Sequence, residues 1–378
     1  MWQPCRAQRG LVIVLFILFL LVHPWGPFAW PAGPAPAKSG APLPFPIEVV
    51  DATGKKISLA RLPERIIVVG QGPFMPMHLL YLFPQGKDRL AGYEEKFKVA
   101  NDFLPLVDSR FSAKAALATN PGPEHVAALH PDLIIIKGSI PSPLGSSLSR
   151  LGIPVVYLGM ENPDQFLRDV RQVGILLGNR TRADEIVQFY QTRLDLLAKG
   201  LSGISKEQRP RVLVMGYNER GGKSAVQVPG RSWTQTIQTV MAGGNPVWLD
   251  SSQASEGWTV INFEQVASWD PDKVFIIPSF TLDRREVLKS FKADPQWRML
   301  KAARNDEMLL FPSDIFGWDS PEPRWILGMM WLATKIFPER FSHIDMKEEV
   351  YRFFTGMFGM ERAVVDTAIM PLVMLEGR

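Results

Sequence analysis

Three tryptophans stand out among the side chains that could do chemistry: Trp233, Trp258 and Trp318. Each lies in or near a segment that follows a predicted strand. Aromatic faces of this size pack well against large planar ligands such as a corrin, a haem or a catecholate. We therefore predict that the three rings line a ligand site. The ordinary alternative is that each ring packs against its own part of the fold.

Positively charged side chains offer a second kind of chemistry. Lys137, Arg231 and Arg324 could receive an anionic ligand, since a guanidinium can hold a carboxylate or an oxyanion through two parallel hydrogen bonds. An ordinary surface charge is the alternative for each of them. Arg324 is singled out because it falls in the first turn of a predicted helix, where the helix dipole disfavours a cation. Gln71 and Tyr217, each just after a predicted strand, complete the predicted ligand-binding set.

Catalysis and direct metal binding find little support. His125 and His130 are five residues apart, whereas two metal ligands on one helical face would be four apart. Cys5 is the single cysteine and falls in a predicted leader, so a processed chain would have no thiol chemistry and no disulfide. Segment 216–224 imitates a phosphate-binding loop but has one residue too many between its glycines. We predict no catalytic residue, no metal ligand and no cofactor.

The candidate ligand-binding residues belong to a sequence that contains an internal repeat. Residues 124–136 (EHVAALHPDLIII) return 140 positions later as 264–276 (EQVASWDPDKVFI), with six identities. A period this long does not describe a solenoid. It predicts two related lobes with a cleft between them, where ligands tend to bind. Glu124 and Glu264, the acids of the repeat, are explained by a place in the first turn of a helix.

Short apolar segments alternate with helical ones through both halves, which predicts an α/β fold with parallel-rich sheets. In such sheets ligands bind outside the carboxyl ends of the strands. That rule selects loops 71–74, 137–139, 217–220, 278–280 and 316–318. The predicted strands are 47–50, 56–59, 66–70, 90–93, 133–137, 155–158, 212–216, 247–249, 274–277 and 308–311, and the predicted helices are 77–83, 123–129, 164–177, 181–201, 233–242, 263–269, 284–301, 321–337 and 346–358.

A helical stretch joins the two lobes. Apolar residues recur every 3.6 residues over 164–177, and Gly178 ends that helix. Thr181 is the predicted N-cap of the next helix, which would span roughly 30 Å. The predicted organisation is a signal peptide at 1–37, a Pro-rich tether at 38–46, an N-terminal lobe at 47–160, connecting helices at 161–208 and a C-terminal lobe at 209–378. Residues 360–378 have no assigned role within that lobe.

The first 37 residues have the character of a targeting signal. Arg6 and Arg9 precede an apolar run, Leu11–Val22, whose 12 residues are too few for a bilayer span of about 20. We predict export to the periplasm, with retention of the leader as a membrane anchor as the alternative. The net charge of +4 is too small to indicate a nucleic-acid partner.

Several motifs, in order and at suitable spacing, resemble the periplasmic substrate-binding proteins for ferric siderophores, haem and vitamin B12. The motifs are VDATG at 50–54 with KISL at 56–59, PERIIVV at 63–69, the Pro-Glu and Pro-Asp pairs at 123–124 and 131–132, LG at 177–178 with ADEI at 183–186, AGGN at 242–245, and the second repeat at 263–272. The resemblance covers about 47–358. It implies two Rossmann-like lobes joined by one long rigid helix, with the ligand cleft between the lobes.

The resemblance implies a monomeric binding protein that takes an iron complex, haem or cobalamin and delivers it to an ABC permease in the inner membrane. Members of this family usually carry a Thr-Glu after the first strand, and its acid docks on the permease. Here residues 76–79 read PMHL, so docking residues are not carried over. Two alternatives stay open: an oxyanion such as molybdate or tungstate on the same scaffold, and a sensory ectodomain without transport.

Overall fold

The computed structural model describes residues 45–95, 103–220, 223–249 and 257–377. The predicted leader, its cleavage site, Cys5 and most of the predicted tether lie outside these ranges. The described residues belong to one compact unit. Within them, no helix combines the length and the hydropathy that a bilayer-spanning segment requires.

The described chain opens with the predicted hairpin, β1 Ile47–Val50 and β2 Lys56–Leu59, paired antiparallel. Side chains alternate between buried and exposed along both strands, as expected for a hairpin with one covered face. Asp51 holds the turn, because its Oδ1 accepts hydrogen bonds from the amides of Thr53 and Lys55 at 2.9 and 3.0 Å. Gly54 adopts a φ of +82°, which favours glycine.

The N-terminal lobe is built on a parallel sheet with the strand order β5-β4-β3-β6-β7. The strands are β3 Ile66–Val69, β4 Leu90–Glu94, β5 Ala115–Leu117, β6 Leu133–Lys137 and β7 Val155–Leu158. The helices are α1 Phe74–Leu80, α2 Pro84–Arg89, α3 Leu104–Val107, α4 Pro123–Ala127 and α5 Pro143–Arg150. The central strand β3 is buried along its whole length, which explains its unbroken run of Ile and Val. Helix α1 begins three residues before the predicted start.

Two helices follow β7: α6 Pro163–Leu176 and α7 Arg180–Gly200. One face of α7 is apolar and buried along the helix: Ala183, Ile186, Val187, Tyr190, Leu194 and Leu197. The predicted cap is wrong. The side chain of Asn179, not that of Thr181, accepts the first-turn hydrogen bond, from Arg182 N at 3.0 Å. Gly178 makes the turn between the helices with a φ of +72°.

The C-terminal lobe contains a sheet with the strand order β11-β9-β8-β12-β13, and a short β10 also pairs with β8. The strands are β8 Arg211–Arg220, β9 Lys223–Val228, β10 Asn245–Pro246, β11 Thr259–Ile261, β12 Lys273–Pro278 and β13 Met308–Leu310. The helices that accompany them are α8 Thr234–Met241, α9 Phe263–Trp269, α10 Arg284–Ala293 and α11 Lys301–Arg304. The central strands are parallel, whereas β9 runs antiparallel to β8 and β11.

Three predicted elements of this lobe are wrong. The predicted helix 321–337 begins only at Trp325, so Arg324 precedes the helix instead of lying in its first turn. The predicted helix 284–301 is broken: α10 ends at Ala293, and a 3₁₀ turn, Trp297–Met299, precedes α11. Pro295 is the reason, since the residue before a proline avoids helical backbone, and Asp294 has a ψ of 124°. The predicted strand 247–249 is a turn in the structure.

The chain ends in α12 Trp325–Ile336, α13 Met346–Phe358 and the short α14 Arg362–Val364. Phe103 of the N-terminal lobe packs against Phe358 of α13, with ring centroids 4.7 Å apart, so this helix touches both lobes. The last described residues return to the C-terminal sheet, where Leu310 N donates to Gly377 O at 2.8 Å. The segment 360–377, which had no assigned role, therefore covers β13.

Equivalent hydrogen bonds are formed within each of the two copies of the repeat. Asp132 accepts from Arg65 N at 2.8 Å, and Asp272 accepts from Arg211 N at 2.8 Å. Each arginine is the residue at or just before the start of the central strand of its lobe. Its guanidinium also donates to a carbonyl at or just beyond the end of the repeat's helix, that of Leu129 in one lobe and Trp269 in the other. The Asp of each Pro-Asp pair therefore fixes the start of a central strand.

Candidate functional site

The carboxyl edges of the two sheets meet. Phe74, just after β3, stacks on Phe316, which follows β13, with ring centroids 5.2 Å apart and planes at 15°. Glu161, after β7, accepts a hydrogen bond through its backbone carbonyl from Thr234 Oγ1 of α8 at 2.9 Å. Because β6 lies between β3 and β7, its end faces the C-terminal lobe as well. The loops selected at 71–74, 137–139 and 316–318 thus border a cleft between the lobes. The selection of 217–220 is wrong, because these residues continue strand β8.

Lys137, the last residue of β6, is engaged in this bridge between the lobes. Its ammonium pairs with the carboxylate of Glu161, and its side chain is only 14% exposed. The other oxygen of that carboxylate lies 3.3 Å from Thr234 Oγ1. Lys137 is therefore placed at the cleft, where it helps to hold the lobes together with its charge already balanced.

Trp233 and Trp258 form an edge-to-face pair with ring centroids 5.7 Å apart and planes at 77°. Trp233 directly precedes Thr234, so the pair lies beside the bridge to Glu161. Both rings are half-buried, which leaves part of each accessible. A Cβ atom at Gly216 would lie only 3.1 Å from the Trp258 ring, so the absence of a side chain there lets the indole pack directly on β8.

The expectation that Trp318 lines the cleft is not met, because this ring has no exposed surface. Its Nε1 donates to Asp314 Oδ2 at 2.9 Å. Arg324, also expected to meet ligand, is equally buried, and it donates to Asp314 through Nε at 2.9 Å and to Glu322 through Nη1 at 2.8 Å. Both residues fix the loop that carries Phe316 toward the other lobe, and the guanidinium meets its anions inside the protein.

The pKa directions in this cluster agree with that arrangement. Burial disfavours the charge on Arg324, but Asp314 and Glu322 outweigh it and raise the pKa of the guanidinium. Burial likewise disfavours the ionised form of Glu322, yet Arg324 and His78 outweigh it and lower the pKa of this carboxyl. The cluster therefore holds opposite charges together in a dry interior, where losing one partner is costly.

His78 of α1 connects this cluster to the N-terminal lobe. Its Nδ1 lies 3.1 Å from Glu322 Oε2, and both side chains are fully buried. The imidazole packs edge-on against Phe316 and Phe103, with centroids 4.8 and 4.9 Å away. The contact lies near α7, since Tyr190 of that helix donates to Pro323 O at 2.6 Å. The lobes are thus joined by buried groups on the side of the connecting helix.

The other predicted ligand residues remain nearer the solvent. Gln71 is exposed in the loop after β3. Tyr217 is half-buried, packs on Phe291 at 5.0 Å and donates to Glu219 Oε1 at 2.6 Å. Burial, and then Glu219, raise the pKa of Tyr217 to about 12, so the phenol is neutral at physiological pH. Arg231 is exposed, and its Nη2 donates to Leu249 O at 3.3 Å.

A buried polar cluster behind the cleft was not foreseen from the sequence. Asp319 accepts a hydrogen bond from Gln235 Nε2 at 3.2 Å, and burial raises the pKa of its carboxyl. Arg284, whose charge interacts with that of Asp319, donates to the carbonyl of Phe311. Burial lowers the pKa of the Arg284 guanidinium. The residues are spread over three elements, so no local pattern links them. Among the residues that the structure describes, no three His, Cys, Asp or Glu side chains are grouped to hold a metal ion.

A sequence profile of the periplasmic binding protein family matches residues 100–315, more than half of the chain. Two curated relatives illustrate the range of ligands on this scaffold. The molybdate-binding protein MolA of Haemophilus influenzae is 23% identical over 256 residues, which cover 62% of this chain and 69% of the relative. The cobalamin-binding protein of Halobacterium salinarum is 23% identical over 292 residues, which cover 77% and 74%.

Solved structures agree on the fold. A periplasmic solute-binding protein from Veillonella parvula superposes with a TM-score of 0.68 at 20% identity, covering 85% of this chain and 96% of that one. Haemophilus influenzae MolA bound to molybdate gives a TM-score of 0.65 at 18% identity, covering 82% and 98%. At these identities the likeness concerns the two-lobed α/β fold alone.

Proposed function

The chain belongs to the periplasmic binding protein family, and on that premise we propose that it captures a metal complex of an organic ligand between its lobes. The cargo would be a ferric siderophore, haem or cobalamin, delivered to an ABC permease in the inner membrane. We further propose that the protein acts as a monomer in the periplasm, where its leader is either removed or kept as an anchor. It performs no chemistry on its cargo.

The observation that carries this proposal is the Trp233–Trp258 pair at the cleft. Two half-buried indoles beside a contact between the lobes provide a broad apolar surface. Planar rings and extended chelates bury much of their surface against such a wall, and about 25 cal/mol is gained for each Å² of apolar area removed from water. A bare oxyanion has no apolar surface to offer to it.

The predicted anion-receiving residues support the same choice. Lys137 is paired with Glu161, and Arg324 is paired with Asp314 and Glu322. An anion that bound either cation would have to displace a carboxylate that already neutralises it. Arg231 is exposed and could meet an acidic group at the periphery of a larger cargo.

An oxyanion such as molybdate or tungstate is the second candidate. Its support is the likeness to MolA of Haemophilus influenzae in both sequence and fold. Opening of the Lys137–Glu161 pair would supply one cation for such a ligand, and Arg231 would supply another. This alternative needs a small polar pocket in which the tryptophans take no direct part.

The cleft would open and close by a limited rotation. Two consecutive helices, α6 and the 21-residue α7, join the lobes. A helix bends less easily than a pair of extended strands. The buried contact between His78 and Glu322 keeps the side near α7 closed. The hydrogen bond from Thr234 to the carbonyl of Glu161 is a second contact between the lobes, and it would exchange during such a motion.

Tryptophan fluorescence tests this function. The purified protein is titrated with a ferric siderophore, haem, cobalamin and molybdate, beside a Trp258→Ala variant. We expect saturable quenching by one metal complex, with the signal and the affinity reduced in the variant. Saturable binding of molybdate alone, with equal affinity in the variant, would establish the second candidate. Absence of binding across the whole panel would contradict both.

A further inference from the structure

Two side chains are more exposed than any other large apolar residue in the described ranges: Ile140 at 77% and Phe280 at 74%. Burying such groups is favourable, so a fold gains nothing by leaving a large apolar side chain in water. Single exposed apolar residues are common on protein surfaces and need no explanation. The position of these two in the repeat makes them different.

Ile140 and Phe280 are equivalent residues of the two lobes. They are separated by 140 positions, the same interval that relates Glu124 to Glu264, and each follows a serine, Ser139 or Ser279. The interval is structurally meaningful, because Asp132 and Asp272, which accept the equivalent hydrogen bonds at the start of the central strands, are also 140 positions apart.

Other exposed apolar residues lack this relationship. The position equivalent to Leu151, which is 58% exposed, is the buried Phe291. The position equivalent to Val260 is Asn120, and Met299 has no counterpart at this interval, because it precedes β13 whereas Gly159 follows β7. The duplication by itself therefore does not produce matched exposed apolar pairs, and the pair at 140 and 280 requires its own reason.

Both residues lie on loops at the carboxyl edges that face each other. Ile140 follows β6, which lies between the strands leading to Phe74 and Glu161, and both of these residues contact the C-terminal lobe. Phe280 follows β12, the neighbour of the strand leading to Phe316. The pair therefore places one exposed apolar residue of each lobe at the facing edges of the two sheets.

We propose that Ile140 and Phe280 grip the apolar periphery of the cargo, one from each lobe, and so select a metal complex with an organic shell over a small inorganic anion. This inference rests on the proposed function and names residues that would set its specificity. Each lobe contributes one contact, so a cargo that reaches both side chains favours closure of the cleft.

The test uses Ile140→Ser, Phe280→Ser and the double variant. Leu151→Ser is the matched control, because Leu151 is a similarly exposed apolar residue at the far end of α5 and has no exposed partner in the repeat. The complex that binds the wild-type protein is titrated into each variant by calorimetry, and molybdate is titrated in parallel. Melting temperatures are expected to agree within about 2 °C, since exposed side chains contribute little to stability.

We expect each single variant to bind the complex about tenfold more weakly, the double variant more weakly still, and the Leu151→Ser control as tightly as the wild type. Equal affinity in all variants, with the complex still bound by the wild type, would overturn this inference and leave the proposed function standing. If affinity is unchanged but stimulation of the permease ATPase is lost, the pair contacts the permease and the inference is wrong. A wild-type protein that binds no complex would overturn both.

Discussion

His78 Nδ1 of the N-terminal lobe lies 3.1 Å from Glu322 Oε2 of the C-terminal lobe, and neither side chain has any exposed surface. Glu322 also binds Arg324 at 2.8 Å, and Arg324 binds Asp314. A polar chain therefore runs from α1 into the loop that carries Phe316. It fixes the geometry of the contact between the lobes near α7.

Removing one member of this chain should be costly. We expect Glu322→Gln to lower the free energy of unfolding by about 3–5 kcal/mol, because it leaves Arg324 buried with only part of its charge balanced. Urea unfolding measures this. Glu348→Gln is the control, since Glu348 forms exposed ion pairs with Arg352 and Arg362 and should change stability by less than about 1 kcal/mol. Equal effects for the two variants would contradict the structural role given to Glu322.

The paired aspartates of the repeat should behave alike. Asp132→Ala and Asp272→Ala each free a backbone amide at the start of a central strand, so each should lower the free energy of unfolding by about 1–3 kcal/mol. Cargo affinity, measured by calorimetry under native conditions, should stay at the wild-type value for both. A selective loss of affinity in either variant would show that the repeat acid serves binding.

Asp108 should contribute to acid sensitivity. Burial would raise its pKa, but Tyr81 Oη at 2.7 Å and Lys114 Nζ at 3.3 Å outweigh burial and bring the pKa below the ordinary value of 3.8. Its stabilising contribution is therefore present above pH 3.8 and is lost as the pH falls through the folded pKa. Denaturant unfolding between pH 3 and 6 should show a shallower pH dependence for Asp108→Asn, and an unchanged slope would contradict this assignment.

Tyr217 should resist ionisation at a pH where ordinary tyrosines ionise. Its folded pKa of about 12 exceeds the ordinary 10.0, so the stability it contributes is present below pH 10 and is lost as the pH rises toward 12. Carbon NMR of labelled tyrosine should find the ring of Tyr217 still protonated at pH 10.5. In Glu219→Gln the midpoint should fall, because the hydrogen-bonded carboxylate is removed. A titration midpoint of Tyr217 near pH 10 in the wild type would contradict its burial and its hydrogen bond to Glu219.

The parts of the fold that depend on local patterns could be predicted from the sequence. The apolar face of α6 follows from a 3.6-residue period, and the buried strands β3 and β6 follow from unbroken runs of apolar residues. The broken helix after α10 was missed, although Pro295 was a visible signal.

The site was predicted less completely, because its members depend on tertiary contacts. Nothing local shows that Trp318 turns inward to bind Asp314, four residues before it, or that Arg324 meets two buried acids. The contact between His78 and Glu322 joins residues 244 positions apart, which no local pattern encodes. By contrast, the rule that ligand loops follow parallel strands selected 71–74 and 316–318, which meet through Phe74 and Phe316, but it took 217–220, a part of β8, for a loop.

Hydrogen–deuterium exchange with and without the bound metal complex tests the central claim most directly. If the cargo is held between the lobes, protection should rise together in loops 137–142 and 230–234 and in loop 278–282, so that both lobes report the same binding event. The amides of α7, already buried, should change little. Protection confined to one lobe, or located away from these loops, would contradict binding in the cleft.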